Sequence, residues 1–258
     1  MTDNNLTLGL VQFSPAWENP AGSIEKLDVL LNNLNPEIDV LIFPELSLTG
    51  FTFNSKNLAE DIDGISSKYF INLAIQHKTH VLAGIIEQDG KNFYNSLVHI
   101  DSNGLIQARY RKIHPFSFAG EEKYYTAASQ PIITKIKDWK VGLSICYDLR
   151  FPELYRKYAK EKAELLINIA NWPIKRIAHW DLLTQARALE NLSFFIGVNR
   201  VGNDPSNQYN GHSKVINPDG TLAASVDEQE GIFIHKINKN DVDSIRNNFS
   251  FLEDIKLL

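Results

Sequence analysis

The chain has a single cysteine, Cys146, in surroundings that suit a nucleophile. It ends the strand-like run KVGLSIC, and the next segment has the pattern of a turn that enters a helix. At such a junction a thiol projects from the sheet edge, and the helix N-terminus favours the thiolate. Gly142 and Ser144 should share its strand face and leave space there. The alternative is that this cysteine is simply a small residue of the core.

Glu45 is a candidate acid–base partner for that thiol. It follows the apolar run DVLIF and Pro44, which should terminate the strand. Because ligands in α/β proteins bind beyond the carboxyl ends of strands, Glu45 and Cys146 can face one cleft. A helix-capping or surface glutamate is the alternative interpretation.

Lys112 is a candidate cation for the same cleft. It follows the strand-like segment LIQARYR and precedes an irregular aromatic stretch, residues 113–125. Long ordered loops in compact domains are often functional. Within this stretch, Glu121 or Glu122 could point back at Lys112. Otherwise Lys112 belongs to an ordinary exposed basic patch.

Strand-like and helical patterns alternate along the chain, which indicates an α/β fold. The strand-like runs are LTLGLVQF, DVLIFP, THVLAGIIE, KVGLSICY, ELLINIA and SFFIGVNRV. The helical segments are SIEKLDVLLNNL, SSKYFINLAIQH, FPELYRKYAKEKA and AHWDLLTQARALENL. In the last, Leu182, Ala186 and Leu189 share one face, which should cover a sheet. Turns at Asn103-Gly104 and Asp219-Gly220 predict hairpins, so the sheets should be mixed.

Composition limits the class of protein. The 258 residues are 43% hydrophobic and 22% charged, and we expect one domain over residues 1–258. A net charge of −5 argues against nucleic-acid and anionic-membrane partners and favours a small neutral or anionic substrate. One cysteine, no secretory signal pattern and no apolar run of about 18 residues predict a soluble cytoplasmic protein.

Other chemical signatures are weak or missing in the sequence. His77 and His80 form the only close histidine pair and lack an acidic or cysteine partner at ligand spacing, so we interpret them as helix surface rather than a zinc site. No phosphate-binding glycine loop and no GxSxG motif occurs. We therefore expect no metal and no cofactor.

Three segments together resemble the motifs of the nitrilase, or carbon-nitrogen hydrolase, superfamily. They are LIFPEL at 41–46, YRKIHPF at 110–116 and GLSICYDLRFPEL at 142–154. Further similar segments are GLVQFSP, NIANWP, QARALEN and GHSKVINPDG. The resemblance runs from about residue 6 to the C-terminus and is strongest to the omega-amidases, which remove ammonia from the side-chain amide of α-keto acid amides.

This resemblance implies a four-layer αββα sandwich that assembles as a homodimer or higher homo-oligomer. It assigns Glu45, Lys112 and Cys146 to a Glu-Lys-Cys triad. A second glutamate is also common in the family, and the spacing within GEEKYYTAA matches Glu121 better than Glu122.

The implied roles agree with the chemistry of these residues. Cys146 would attack the amide as a thiolate, with Glu45 as general base, and would form a thioester as ammonia leaves. Lys112 would favour the thiolate and stabilise the oxyanion, with the backbone N–H of Tyr147 as second donor.

A keto acid substrate also needs a group that binds its carboxylate. Arg150 and Arg176 are candidates because a guanidinium can bind a carboxylate through two hydrogen bonds. Alternatively, Arg150 pairs with Glu153 and Arg176 is surface. The aromatic residues that could wall the pocket are Phe116, Tyr125 and Trp172. Hydrolysis of an N-carbamoyl compound or another small linear amide, or a catalytically silent scaffold, stay open as alternatives.

Overall fold

Fourteen strands and six α-helices form the regular structure of the described residues. The computed structural model of the protein describes residues 4–32, 34 and 37–257. The strands are β1 Asn5–Gln12, β2 Val40–Ile42, β3 His80–Asp89, β4 Asn92–Ile100, β5 Ile106–Arg111, β6 Ile133–Ile136, β7 Trp139–Ile145, β8 Leu165–Ala170, β9 Phe194–Asn199, β10 Val201–Asn203, β11 Gln208–Asn210, β12 Lys214–Ile216, β13 Leu222–Ser225 and β14 Gly231–Asn238. The helices are α1 Pro20–Leu31, α2 Ser55–Leu58, α3 Ile65–His77, α4 Pro152–Lys160, α5 Ile177–Asn191 and α6 Lys239–Asn248. Helices separate the parallel strands, as the sequence predicts, while β3 to β7 and β9 to β14 follow one another without an α-helix.

Two six-stranded sheets carry most of these strands. Their strand orders are β14-β1-β2-β3-β4-β5 and β13-β12-β9-β8-β7-β6. Neighbours among β1, β2 and β3 are parallel, as are neighbours among β7, β8 and β9, whereas the outer strands pair antiparallel. Both predicted hairpins are present, with Gly104 and Gly220 at positive φ in their turns. The prediction of mixed sheets is confirmed.

The two sheets pack face to face and helices cover both outer faces. Leu8 and Ile42 of the first sheet lie in one buried cluster with Leu143 of the second. On the outer face of the first sheet, Leu27 of α1 and Phe70 of α3 are buried in a second apolar cluster. The other outer face is covered by α4 and α5. These four layers are the αββα sandwich that the resemblance implies.

Helix α5 presents a different face to the sheet from the one predicted. Leu182 and Leu189 are 67% and 51% exposed, whereas Trp180 is fully buried. A side chain at Gly197 of β9 would meet the Trp180 ring at 2.6 Å, so the missing side chain there makes room for the indole. Packing of this large aromatic ring decides which stripe of α5 turns inward.

Most predicted helices match observed ones within a few residues. The first begins three residues earlier than its pattern, at Pro20, and residue 33 near its predicted end lies outside the described residues. Helix α6 is itself a polar segment, which the apolar patterns did not identify. In the described part of the chain, no helix combines the length and apolar character needed to cross a bilayer.

Candidate active site

Cys146 lies directly beyond the end of β7 and begins a short 3-10 turn, Cys146–Arg150. Its φ of +46° is in the left-handed region, which costs a non-glycine residue about 1 to 3 kcal/mol. The face shared by Gly142 and Ser144 is not open, contrary to the prediction. The Tyr158 ring lies 2.7 Å from where a Gly142 side chain would begin, because α4 packs there. The open space lies past the strand end instead.

Glu45 lies in the turn that follows β2, and its side chain is fully buried. Its Oε2 accepts a hydrogen bond from the backbone N–H of Asn171 at 2.8 Å, and its backbone oxygen accepts one from Asn171 Nδ2 at 2.7 Å. A side chain at Gly84 of β3 would begin 2.8 Å from Glu45 Cα and 2.3 Å from the Leu46 nitrogen. This turn can therefore approach β3 only because residue 84 is glycine.

Lys112 follows β5 and joins two carboxylates in a buried cluster. Its Nζ donates to Glu45 Oε1 at 2.8 Å and to Glu121 Oε2 at 2.9 Å. Asn95 Nδ2 donates to both carboxylates, at 2.7 Å and 3.0 Å. Glu121 is fully buried and Glu122 is exposed, so Glu121 is the glutamate that contacts Lys112. We call Glu45, Asn95, Lys112 and Glu121 the buried cluster.

Electrostatic coupling in this cluster keeps Lys112 charged. Burial by itself lowers the pKa of Lys112, but Glu121 and Glu45 together raise it well above its usual value. Burial raises the pKa of Glu121 and so does the nearby Glu45 carboxylate, while Lys112 opposes both effects. An ammonium at this position can donate hydrogen bonds to a developing oxyanion.

The surroundings of Cys146 raise the pKa of its thiol, whereas the sequence predicts that they favour the thiolate. Burial raises the pKa of Cys146 well above its usual value, Glu45 raises it further by its charge and a hydrogen bond, and Lys112 lowers it only in part. Glu45 forms a hydrogen bond with this thiol, so its carboxylate is placed where it could accept the proton during attack by sulfur.

A cavity of about 190 Å³ opens above Cys146 and Lys112. Five of the six residues predicted to bind substrate line it, namely Phe116, Tyr147, Arg150, Trp172 and Arg176. Lining residues that were not predicted are Phe51, Phe118, Ala119, Asn171, Pro173, Asn207 and Tyr209. The volume suits a small linear molecule.

Tyr125 does not reach the cavity, and its prediction as a pocket residue is wrong. It is 2% exposed and packs with Leu46 and Ile86 in a small apolar cluster. Its hydroxyl donates to the backbone oxygen of Thr52 at 2.8 Å. The ring is thus a core residue beneath the buried cluster.

Arg150 and Arg176 face the cavity without a carboxylate partner among the described residues. Arg150 lies over the Trp172 ring at 4.8 Å and approaches His179 Nδ1 at 3.2 Å, rather than pairing with Glu153. Burial lowers the pKa of Arg150, and the positive charge of Arg176 lowers it further. We call Arg150 and Arg176 the arginine wall.

Asn95 and Asn171 are site residues that sequence reasoning did not identify. Asn171 lies in the segment NIANWP just past β8, so its strand-end position was a usable signal. Asn95 is inside β4, and only the pairing of β4 with β5 brings it close to Lys112. The backbone N–H of Lys112 donates to the backbone oxygen of Asn95 at 2.9 Å. No local pattern predicts that contact.

The histidine pair takes a different position from the one predicted. His77 ends α3, but His80 begins β3 and its Nδ1 lies 3.0 Å from Nε2 of His99. Strand pairing of β3 with β4 brings these two rings together. Within residues 4–32, 34 and 37–257, no three His, Cys, Asp or Glu side chains are grouped as a metal ion would require.

Comparison with known structures defines the class of this fold. The chain superposes with a TM-score of 0.94 on a CN-hydrolase superfamily protein from Xanthomonas campestris whose active site carries an arsenic adduct; the identity is 31%, and 98% of each chain is covered.

Comparison of sequences then gives the family. The carbon-nitrogen hydrolase family model matches residues 7–247. The chain is 32% identical over 252 residues to a 2-oxoglutaramate amidase of Bacillus subtilis, with 97% of each chain covered. It is 30% identical over 230 residues to an omega-amidase of Escherichia coli, which covers 87% of this chain and 86% of the relative. The chain belongs to the carbon-nitrogen hydrolase family, and the predicted resemblance is confirmed.

Proposed function

We propose that this enzyme is an omega-amidase that releases ammonia from the side-chain amide of a small α-keto acid amide, such as α-ketoglutaramate or α-ketosuccinamate. The main support for this proposal is that one small cavity is lined by both Cys146 and the arginine wall. The similarity to a 2-oxoglutaramate amidase of Bacillus subtilis and an omega-amidase of Escherichia coli supports the same reaction.

In the proposed mechanism, the Cys146 thiol gives its proton to Glu45 as the sulfur attacks the amide carbon. Lys112 Nζ and the backbone N–H of Tyr147 hold the resulting oxyanion. Glu45 returns the proton to the amide nitrogen, the carbon–nitrogen bond breaks, ammonia leaves and a thioester remains.

Hydrolysis of the thioester uses the same groups. Glu45 takes a proton from water as the water oxygen attacks the thioester carbon, and the thiolate leaves and recovers a proton. The product is a carboxylic acid, and the enzyme returns to its starting state. The proposed role of Glu121 is to keep Lys112 in its ammonium form. The 2.9 Å contact between Lys112 Nζ and Glu121 Oε2 and the raised pKa of Lys112 support this role.

Recognition of the substrate is assigned to the arginine wall. A keto acid amide has its carboxylate at the end opposite to the reacting amide, so a binding site for it must lie across the cavity from Cys146. Two neighbouring guanidinium groups without a protein carboxylate favour an anionic ligand, since its charge would relieve their mutual repulsion. Phe116 and Trp172 supply the aromatic sides of the pocket.

We also propose that the chain forms a single domain over residues 1–258, acts in the cytoplasm and assembles as a homodimer or higher homo-oligomer. The single cysteine fits a reducing compartment. The exposed Leu182 and Leu189 on α5 support a surface that a second copy could cover.

The test is ammonia release from α-ketoglutaramate and α-ketosuccinamate, with N-carbamoyl amino acids as a second arm in which carbon dioxide is also measured. We expect the wild type to release ammonia from a keto acid amide, and Cys146→Ala to release none while it unfolds at a similar temperature. A folded Cys146→Ala protein with full activity would contradict the mechanism. Carbon dioxide from the carbamoyl arm alone would contradict the substrate class.

A further inference from the structure

Asp148 is a fully buried carboxylate that the proposed mechanism does not use, although it lies two residues after Cys146. It accepts four hydrogen bonds. Its Oδ2 accepts from the Tyr110 hydroxyl at 2.7 Å and from the Ile145 backbone N–H at 3.0 Å. Its Oδ1 accepts from the backbone N–H of His114 at 2.9 Å and from His114 Nδ1 at 2.8 Å. Because a carboxylate only accepts, the Nδ1 atom carries the proton.

The four donors belong to the two segments that carry Lys112 and Cys146. Tyr110 and His114 lie two residues before and two residues after Lys112. The remaining donor is the backbone N–H immediately before Cys146. A single carboxylate therefore ties the end of β5 to the end of β7, at the places where each strand delivers its reactive side chain.

The turn at Cys146 needs such support. A φ of +46° is unfavourable for cysteine, so the residue itself does not select this conformation. Asp148 Oδ2 holds the backbone N–H that precedes the strained residue. The ring of His114 also stacks on Phe151 at a centroid distance of 3.8 Å, which braces the far end of the turn.

We propose that Asp148 is a positioning residue that fixes the Cys146 thiol relative to the Lys112 ammonium. It acts through the backbone of both segments and does not touch the substrate. The inference rests on the proposed function, because the spacing matters only if Cys146 attacks while Lys112 stabilises the oxyanion. Small misplacements of reacting groups, of about 1 Å, can reduce a rate by about 100-fold.

The isosteric variant Asp148→Asn tests this with little change in volume. Each carboxylate oxygen accepts one backbone N–H, from Ile145 or from His114. An asparagine in either orientation must therefore turn its NH₂ group toward a backbone donor. We expect kcat to fall by about 100-fold with little change in KM, since the binding wall is untouched.

Two milder variants each remove part of the hydrogen-bond network around Asp148. Tyr110→Phe removes one donor from Oδ2, and His114→Ala removes the imidazole donor from Oδ1 while its backbone donor stays. Each should lower kcat less than Asp148→Asn, and the double variant should approach it. The rate of Cys146 alkylation by iodoacetamide should change in the same order, which a purely structural role would not require.

Tyr158→Phe is the matched control. It also removes two hydrogen bonds near β7, from the Ile132 N–H and to the Leu143 oxygen, but the Tyr158 hydroxyl makes no hydrogen bond to Asp148 or to residues 110–114. It should lower the thermal unfolding midpoint and leave kcat and the alkylation rate near wild type.

The outcomes separate the two proposals. A wild type that hydrolyses none of the keto acid amides defeats the proposed function. The positioning role is overturned if the wild type is active, Cys146→Ala is inactive and Asp148→Asn keeps the wild-type kcat. If Asp148→Asn does not fold, the double variant Tyr110→Phe, His114→Ala decides, and its retention of wild-type kcat overturns the role as well.

Discussion

The two charged regions that border the cavity differ in how their charges are matched. In the buried cluster, one ammonium is held between two carboxylates and no member is more than 2% exposed. In the arginine wall, two guanidinium groups have no carboxylate partner among the described residues and are partly exposed. The matched region is preorganised for chemistry, and the unmatched region is suited to receive a charged ligand.

The sharpest way to test the buried cluster is Glu45→Gln. Loss of the general base should lower kcat by about 100- to 10,000-fold. The same change should accelerate alkylation of Cys146 at pH 7, because Glu45 raises the pKa of that thiol by charge and hydrogen bonding. Turnover and thiol reactivity should thus move in opposite directions, as measured by ammonia release and iodoacetamide labelling.

Glu122→Gln is the control for this experiment, because Glu122 is exposed beside Glu121 and should change neither quantity. Slower alkylation in Glu45→Gln would show that Glu45 does not hold the thiol in its protonated form.

Gly84→Ala should displace Glu45 without changing any group that reacts. The new methyl would lie 2.3 Å from the Leu46 nitrogen, so the backbone of the turn must move. We expect kcat to fall by about 100-fold and the free energy of unfolding by about 1 to 3 kcal/mol. Gly90→Ala, where no atom lies within 4 Å but φ is +60°, should cost stability and preserve kcat. Wild-type kcat in Gly84→Ala would mean that the position of Glu45 tolerates this shift.

Substitution of the arginine wall should affect binding more than chemistry. Arg150→Met and Arg176→Met should each lower kcat/KM for a keto acid amide by about 10- to 30-fold, from the loss of a charge-assisted hydrogen bond of about 1.5 to 2 kcal/mol. Hydrolysis of a neutral amide of similar length should change little.

Lys175→Met removes an exposed positive charge from the turn that carries Arg176 and is the matched control. An equal loss in this control, or on the neutral amide, would indicate a general electrostatic effect instead of a carboxylate site.

Acid should weaken a third polar region, the His80–His99 pair, whose ring nitrogens Nδ1 and Nε2 lie 3.0 Å apart. Burial and the nearby His80 lower the pKa of His99 from 6.5 to about 3. Between these values the unfolded chain binds more protons, so stability is complete above about pH 6.5 and is lost as the pH falls toward 3. The loss between pH 6.5 and 5 should be up to about 2 kcal/mol.

Urea unfolding at pH 7 and pH 5 measures this loss, and His99→Gln should reduce the difference between the two. An equally large difference in the variant would assign the acid sensitivity to other groups.

Local patterns were sufficient for the alternating elements and both hairpins, because hydrophobic periodicity and Asn-Gly or Asp-Gly turns act over short distances. Local patterns failed where a single packing contact determines which face of an element is buried. The inward stripe of α5 follows the indole of Trp180, and the face of Gly142 is filled by Tyr158 rather than open. Tyr125 is aromatic like its neighbours in the loop, and only its position in the fold makes it core.

The sequence by itself determined the family, the fold class and the identities of Cys146, Glu45 and Lys112 as candidates, because ordered motifs and strand-end positions are local properties. Only the tertiary structure decided that the pKa of the thiol is raised rather than lowered, since this pKa depends on burial and on charges that come from distant strands. It also decided which glutamate holds Lys112 and brought Asn95 to that pair. Electrostatic energies depend on distances across the fold, and no local pattern encodes them.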